Sequence, residues 1–190
     1  MKSLKQFIEA TDGTRIIMIG GPGSGKSTYS ELMKKKLGIA HIYTGDMMRE
    51  LSKKDTPDGK KVKDLLDKGE FAPTNIVINS VQERLEKPDT KNGYIFDGFP
   101  RNVEQAKAME QKGIKYNHVV YLDVSEKEVI RRLTARGRAD DKPEIIKNRL
   151  KVFERETAPL LDYYKDEIIK IKAEGGTPEE VADKIIGKVK

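Results

Sequence analysis

The chain has 190 residues, 36% of them hydrophobic and 36% charged, with a formal charge of +6 and no cysteine. That length fits one domain able to bury about 70% of its unfolded surface, and the apolar residues are gathered into runs rather than diluted as in a disordered chain. Without cysteine there is no disulfide and no thiolate site, so no structural zinc is expected and any metal must be oxygen-ligated and borne by a ligand.

Residues 1–14 lack the apolar stretch of a signal peptide, and no run approaches the length of a membrane span, which predicts a soluble, cytoplasmic protein. Next, Arg15-Ile16-Ile17-Met18-Ile19 reads as a buried parallel strand, and Thr28 to Leu37 as a helix stopped by Gly38. Between them lies Gly20-Gly21-Pro22-Gly23-Ser24-Gly25-Lys26-Ser27, which fits the phosphate-loop pattern G-x-x-x-x-G-K-[ST]. Such a loop curls its backbone N–H groups round an anion; Lys26 is placed to reach the β- and γ-phosphates of a nucleotide, and the Ser27 hydroxyl to ligate Mg²⁺.

Further strand-like runs occur at Ala40–Tyr43, Tyr94–Phe96, Val119–Val124 and Glu167–Ile171, with helical stretches between them. The alternation predicts a single P-loop NTPase-like domain over residues 1–190, a three-layer α/β/α sandwich with a five-stranded parallel sheet. Ser52–Lys61 and Lys87–Gly93 read as loops. Capping boxes are expected where Ser125 precedes Glu128 and where Thr177, followed by Pro178, precedes Glu180. Lysines are scattered and aromatic residues few, so the positive charge reads as solvated faces and argues against nucleic-acid binding.

Tyr94-Ile95-Phe96-Asp97 is an apolar strand ending in aspartate, the place from which a phosphate-loop protein holds Mg²⁺ directly or through water; a mere strand-end cap is the other reading. Bringing two nucleotides together sets phosphates within a few Å, and each like-charge contact at about 4 Å costs about 4 kcal/mol at an effective dielectric near 20. Cations must converge there: besides Lys26, the candidates are Arg49, Arg101, Arg132, Arg136, Arg138 and Arg149, with Arg132 and Arg136 on one helical face. His41 and His118 read as structural.

Asp97-Gly98-Phe99-Pro100-Arg101, following the phosphate loop and Thr44-Gly45-Asp46-Met47-Met48-Arg49, resembles the motif set of adenylate kinases and related nucleoside-monophosphate kinases. Arg138-Ala139-Asp140-Asp141, Asn148-Arg149-Leu150 and Glu174-Gly175-Gly176 are similar to later motifs of that family. The resemblance implies Mg²⁺-dependent transfer of the ATP γ-phosphate to AMP, giving two ADP, by a protein expected to be a monomer, with an oligomer left open. It implies that Gly21 to Thr28, Arg132, Gly175 and Gly176 bind ATP, with Arg132 against the adenine. AMP would be held by Thr44, Arg49, Phe71, Gly98, Arg101, Gln105, Arg138 and Arg149. Lys26, Arg101, Arg136, Arg138 and Arg149 would be the catalytic cations, and residues 43–73 a small helical insertion for the monophosphate.

Thr44 and Gln105 match the adenylate kinase pattern, whereas UMP/CMP kinases usually carry alanine and asparagine there; a UMP/CMP kinase or another small-molecule phosphate-loop kinase stays as the alternative. A regulator that binds ATP without transferring phosphate would have no use for the paired arginines. Three departures stand out. Only Gly137 separates Arg136 from Arg138, so residues 136–139 would be a vestigial lid loop, and ATP hydrolysis without AMP is expected. Lys26-Ser27-Thr28 replaces the usual G-K-G-T, so either Ser27 or Thr28 could meet the metal. Tyr43 occupies a position where the family has a small residue.

Overall fold

The computed structural model describes residues 13–137 and 142–189. Its five strands are β1 (Thr14–Ile19), β2 (Ala40–Tyr43), β3 (Gly93–Asp97), β4 (His118–Asp123) and β5 (Ile168–Lys172). All the pairings are parallel, in the order β2-β3-β1-β4-β5. Because β1 is central and its neighbours β3 and β4 lead away to opposite edges, a crevice opens beyond the carboxyl end of β1, where doubly wound sheets bind ligands. The register puts Met18 beside Asp97 and Asp97 beside Tyr43, so β2 and β3 deliver their last residues, and β1 its last but one, to that crevice.

Alternation along β1 makes the two outer layers. Ile16 and Met18 face one side and pack with α1 (Lys26–Leu37) and α9 (Pro178–Ile186), through Tyr29, Met33, Val181 and Ile185. Ile17 and Ile19 face the other and join Phe96 against α4 (Thr74–Leu85), α5 (Val103–Gln111) and α8 (Pro159–Tyr163), through Val77, Met109 and Leu160. These strand residues are all at most 2% exposed, which explains why β1 reads as a continuous apolar run.

Between β2 and α4 the chain forms α2 (Thr44–Ser52) and α3 (Pro57–Asp67), packed on one another. The expectation of a loop through Lys61 is wrong here, because α3 begins at Pro57. Thr56 Oγ1 accepts from the Gly59 amide at 3.0 Å, and Pro57 takes the first helical position, where a missing N–H costs nothing. Gly59 is not a breaker: a Cβ there would stand 2.3 Å from the Lys54 carbonyl and 2.8 Å from that of Leu51, so glycine is what lets α3 close onto the end of α2.

The remaining helices are α6 (Glu126–Arg136) and α7 (Pro143–Val152), and α7 runs into a π-helical turn at Phe153–Thr157. Gly137 ends α6 in the left-handed region (φ 64°), and residues 137–142 make the whole connection to α7. Arg138 and Ala139, half of the expected lid loop, lie outside the described residues. The capping box at Thr177 forms in full, with Glu180 N to Thr177 Oγ1 at 3.2 Å and Thr177 N to Glu180 Oε2 at 2.8 Å. The box at Ser125 forms by half. Glu128 N donates to Ser125 Oγ, but the Glu128 carboxylate is taken by Arg131 and Arg132, and the Ser125 amide turns to Glu174 instead.

Since α9 covers one face of the central strand, its cap is a handle on global stability. Thr177→Ala removes one capping bond worth about 1 kcal/mol, which in a chain of this size lowers Tm by about 2–4 °C in a thermal scan; an unchanged Tm would show that the cap contributes nothing.

Candidate active site

The phosphate loop joins β1 to α1 and is shaped by its glycines. Gly25, at φ 96°, turns the chain into the helix, and a Cβ there would strike the Tyr29 ring at 2.5 Å. A Cβ on Gly23, at φ 76°, would meet Leu133 of α6 at 2.9 Å, so this glycine lets α6 come up against the loop. Helix α1 thus points its amino terminus, with unsatisfied N–H groups, into a cleft of about 750 Å³.

Lys26 folds back onto its own loop, donating to the carbonyls of Gly20 (2.6 Å) and Gly21 (2.8 Å) and to Ser24 Oγ (3.3 Å). Its pKa falls to about 8 because the cleft walls strip its hydration; Asp97 opposes the shift, and Arg101, Arg149 and Arg136 deepen it. Those three guanidinium groups therefore act on the loop lysine, although they come from three separate elements of the fold.

Asp97 is fully buried. Desolvation alone would raise its pKa, but the hydrogen bond from His41, the Lys26 charge and the Ser27 hydroxyl hold it lower than usual. Its Oδ2 lies 3.2 Å from His41 Nε2, while its Oδ1 is buried with no hydrogen-bond partner among the described residues. His41 also reaches Glu31 through Nδ1 at 3.2 Å; burial pulls its pKa down, and the two carboxylates more than reverse that. An orphaned carboxylate oxygen beside a serine hydroxyl suits a hard cation. Among the described residues no three His, Asp or Glu side chains converge on one point, so an ion here would draw its other ligands from water and nucleotide.

On the far side of Asp97, Gly98 turns at φ 78° and Arg101 Nε donates back to the Gly98 carbonyl at 2.9 Å. The Arg101 guanidinium stands 4.9 Å over the Phe71 ring, and burial lowers its pKa. Gln105 Oε1 accepts from the Arg101 amide at 2.8 Å, Thr157 Oγ1 donates to the Arg101 carbonyl at 2.7 Å, and Thr44 Oγ1 donates to the Gly98 carbonyl at 2.6 Å. Thr44 and Gln105 are therefore both buried behind Arg101 and tie down the turn that carries it. Arg49 pairs with Asp46 on α2, at 2.5 Å from Nη2 and 3.1 Å from Nε.

At the opposite end, Arg132 is clamped by Glu128 Oε1 (2.7 Å) and by the carbonyls of Ala173 (2.8 Å) and Ser24 (3.3 Å), with Gly175 and Gly176 beside it on the cleft wall. Arg136 and Arg149 line the middle. Thr28 sits on the exposed side of α1, and Arg138 lies outside the described residues. Sequence reasoning missed Phe153 and Thr157, which reach the site from the π-helical turn, and also the bonding of His41 to Asp97. Tyr43 lines the cleft too; its size was the only signal that marked it.

A sequence model described as adenylate kinase matches residues 18–169. The adenylate kinase of Corynebacterium aurimucosum is 43% identical over 176 residues, covering 90% of this chain and 97% of that protein. The adenylate kinase of Mycolicibacterium smegmatis is 42% identical over 172 residues, 88% of this chain and 95% of its own length. Adenylate kinase 1 of Nostoc sp. is 45% identical over 157 residues, 80% of this chain and 85% of its own.

The lowered pKa of Lys26 carries a signed consequence. Between about 8 and the ordinary 10.5 the free protein holds less than one proton on this amine, and the phosphates of a bound nucleotide restore it. Binding of ATP near pH 9, about one pH unit above that midpoint, is expected to take up a proton, and affinity to fall as pH rises through the window. Calorimetry in buffers of different ionisation enthalpy reads this directly, with uptake lost in Lys26→Met; observed heats that do not vary with the buffer in wild type would overturn it.

Proposed function

Because the chain belongs to the adenylate kinase family and is a nucleoside-monophosphate phosphotransferase, we propose that its cleft binds ATP against α1 and α6 and AMP against α2 and the Gly98–Arg101 turn. An AMP phosphate oxygen forms a bond to the γ-phosphorus as the bond to the β–γ bridging oxygen breaks, leaving ADP on both sides. The observation that carries this division is the electrostatic convergence of Arg101, Arg136 and Arg149 on Lys26 beside the buried Asp97.

The phosphates need charge neutralisation and alignment more than proton transfer, since the attacking oxygen is already ionised. Lys26 exchanges its loop carbonyls for β- and γ-phosphate oxygens, and Gly21 to Thr28 wrap the donor. Arg136 and Arg149, with Arg138, bear on the phosphoryl group in transit, where charge is spread over three oxygens. Arg132, held on three sides, gives the donor base a rigid wall near Gly175 and Gly176. Arg101 and Arg49 take the acceptor phosphate, Phe71 backs Arg101, and Thr44 and Gln105 serve the acceptor from behind, by fixing the turn that carries Arg101. Mg²⁺ bound with ATP would be held by Asp97 and Ser27, partly through water, and would supply Lewis-acid neutralisation of the β- and γ-oxygens.

Among the described residues no helix is long and apolar enough to cross a membrane; a cytoplasmic monomer working on diffusible ATP, AMP and ADP is the setting we propose.

An acceptor panel of AMP, UMP, CMP and GMP with ATP and Mg²⁺ is expected to show AMP preferred by at least tenfold in kcat/KM, about 1.4 kcal/mol of transition-state binding. Lys26→Met should abolish ADP formation with unchanged circular dichroism; retained turnover or a pyrimidine preference would refute the assignment. With residues 137–142 alone joining α6 to α7, ATP hydrolysis in the absence of AMP is expected to exceed that of a relative with a full lid, and an equal rate would sink the idea.

A further inference from the structure

Tyr43 breaks a local rule. It occupies the N-cap of α2, the position at which serine, threonine, aspartate or asparagine contributes about 1 kcal/mol by accepting from the first amides. The Tyr43 side chain makes no such bond. Its backbone sits in the extended region (φ −98°, ψ 95°), so a small capping residue would fit there without strain. A rule broken without local compensation marks a residue kept for something else.

What Tyr43 does instead is hold Arg49. The Arg49 guanidinium lies over its ring at 5.1 Å from the centroid. Arg49 keeps its proton more firmly than usual: burial works against it, but the Tyr43 phenol and the Asp46 carboxylate prevail. The ring is itself fixed. It stacks on His41 at 6.0 Å with 14° between planes, and it presses so close to Gly45 that a Cβ there would lie 2.7 Å from the ring edge.

We propose that Tyr43 is a positioning residue of the acceptor site, holding Arg49 in place for the phosphate of a nucleoside monophosphate. Stacking occupies the face of a guanidinium and leaves donors at its edge for an oxyanion. Arg101 is treated in the same way by Phe71, so each acceptor arginine lies on an aromatic ring. The contribution is to the phosphate end of the acceptor, independent of its base, and it rests on the reading of this side of the cleft as the AMP site.

Calorimetric Kd values for AMP and for ATP in wild type, Tyr43→Phe and Tyr43→Ser test this, together with KM for each acceptor that turns over. Tyr43→Ser supplies a natural N-cap, so its Tm should hold or rise. Its Kd and KM for AMP should rise about tenfold, as expected for a lost half-buried cation–π contact. Affinity for ATP should stay within twofold, and the loss should be the same factor for AMP, CMP and UMP. Tyr43→Phe, which keeps the ring, should recover most of it. An AMP Kd within twofold of wild type in Tyr43→Ser, or equal weakening of ATP and AMP, overturns the role of Tyr43 alone. No measurable binding of AMP to wild type overturns the acceptor reading itself, and this role with it.

Discussion

The charge on Asp97 is the interaction on which the cleft depends. A fully buried carboxylate is costly unless it is paired, and here His41, Ser27 and Lys26 surround it at the end of a strand that runs between β1 and β2. In return it counters the repulsion that Arg101, Arg149 and Arg136 exert on the loop lysine. The field of these groups shows in the same direction at two sites: Lys26 holds its proton less firmly than an ordinary lysine, and Asp97 gives its up more readily than an ordinary aspartate. Phosphate oxygens would relieve the first and a divalent cation would satisfy the orphaned oxygen of the second, so the cleft is electrostatically matched to a nucleotide–metal pair.

Around that centre the protein spends backbone carbonyls and aromatic faces on its cations, keeping carboxylates few. Lys26 rests on Gly20 and Gly21, Arg101 on Gly98 and Phe71, and Arg132 on Ala173 and Ser24. Such partners hold a cation in place with partial charges only, and they let it go to a full anion. The acidic exceptions among the described residues are Glu128 on Arg132 and Asp46 on Arg49.

Features that depend on a short stretch of chain were readable from the residues. The fully apolar β1, the glycine pattern of the loop and Thr177-Pro178 with Glu180 each carry their reason within a few positions, and the five strands fall within two residues of their expected ends. What escaped depends on distant partners. Asp58-Gly59 looks like a turn until the Lys54 and Leu51 carbonyls are seen against it. Ser125 and Glu128 form half a box because Arg131 and Arg132 compete for the glutamate. His41 gives no hint in its own neighbourhood that Asp97, 56 residues away, is its partner. The grip of Thr44 and Gln105 on the Arg101 turn likewise needed coordinates.

The π-helical turn at Phe153–Thr157 has a meaning for how this site tolerates change. An extra residue in one helical turn advances everything after it by about 100° relative to what precedes it. Before the turn, Arg149 looks into the cleft; after it, Leu160 and Tyr164 look into the core, and within it Thr157 catches the Arg101 carbonyl. The turn works as a phase adjuster between a helix that lines the cleft and one that packs the core. Single-residue insertions or deletions on either side of it are therefore not equivalent to those in other surface segments: they would rotate one function against the other while leaving composition, charge and helix length almost untouched.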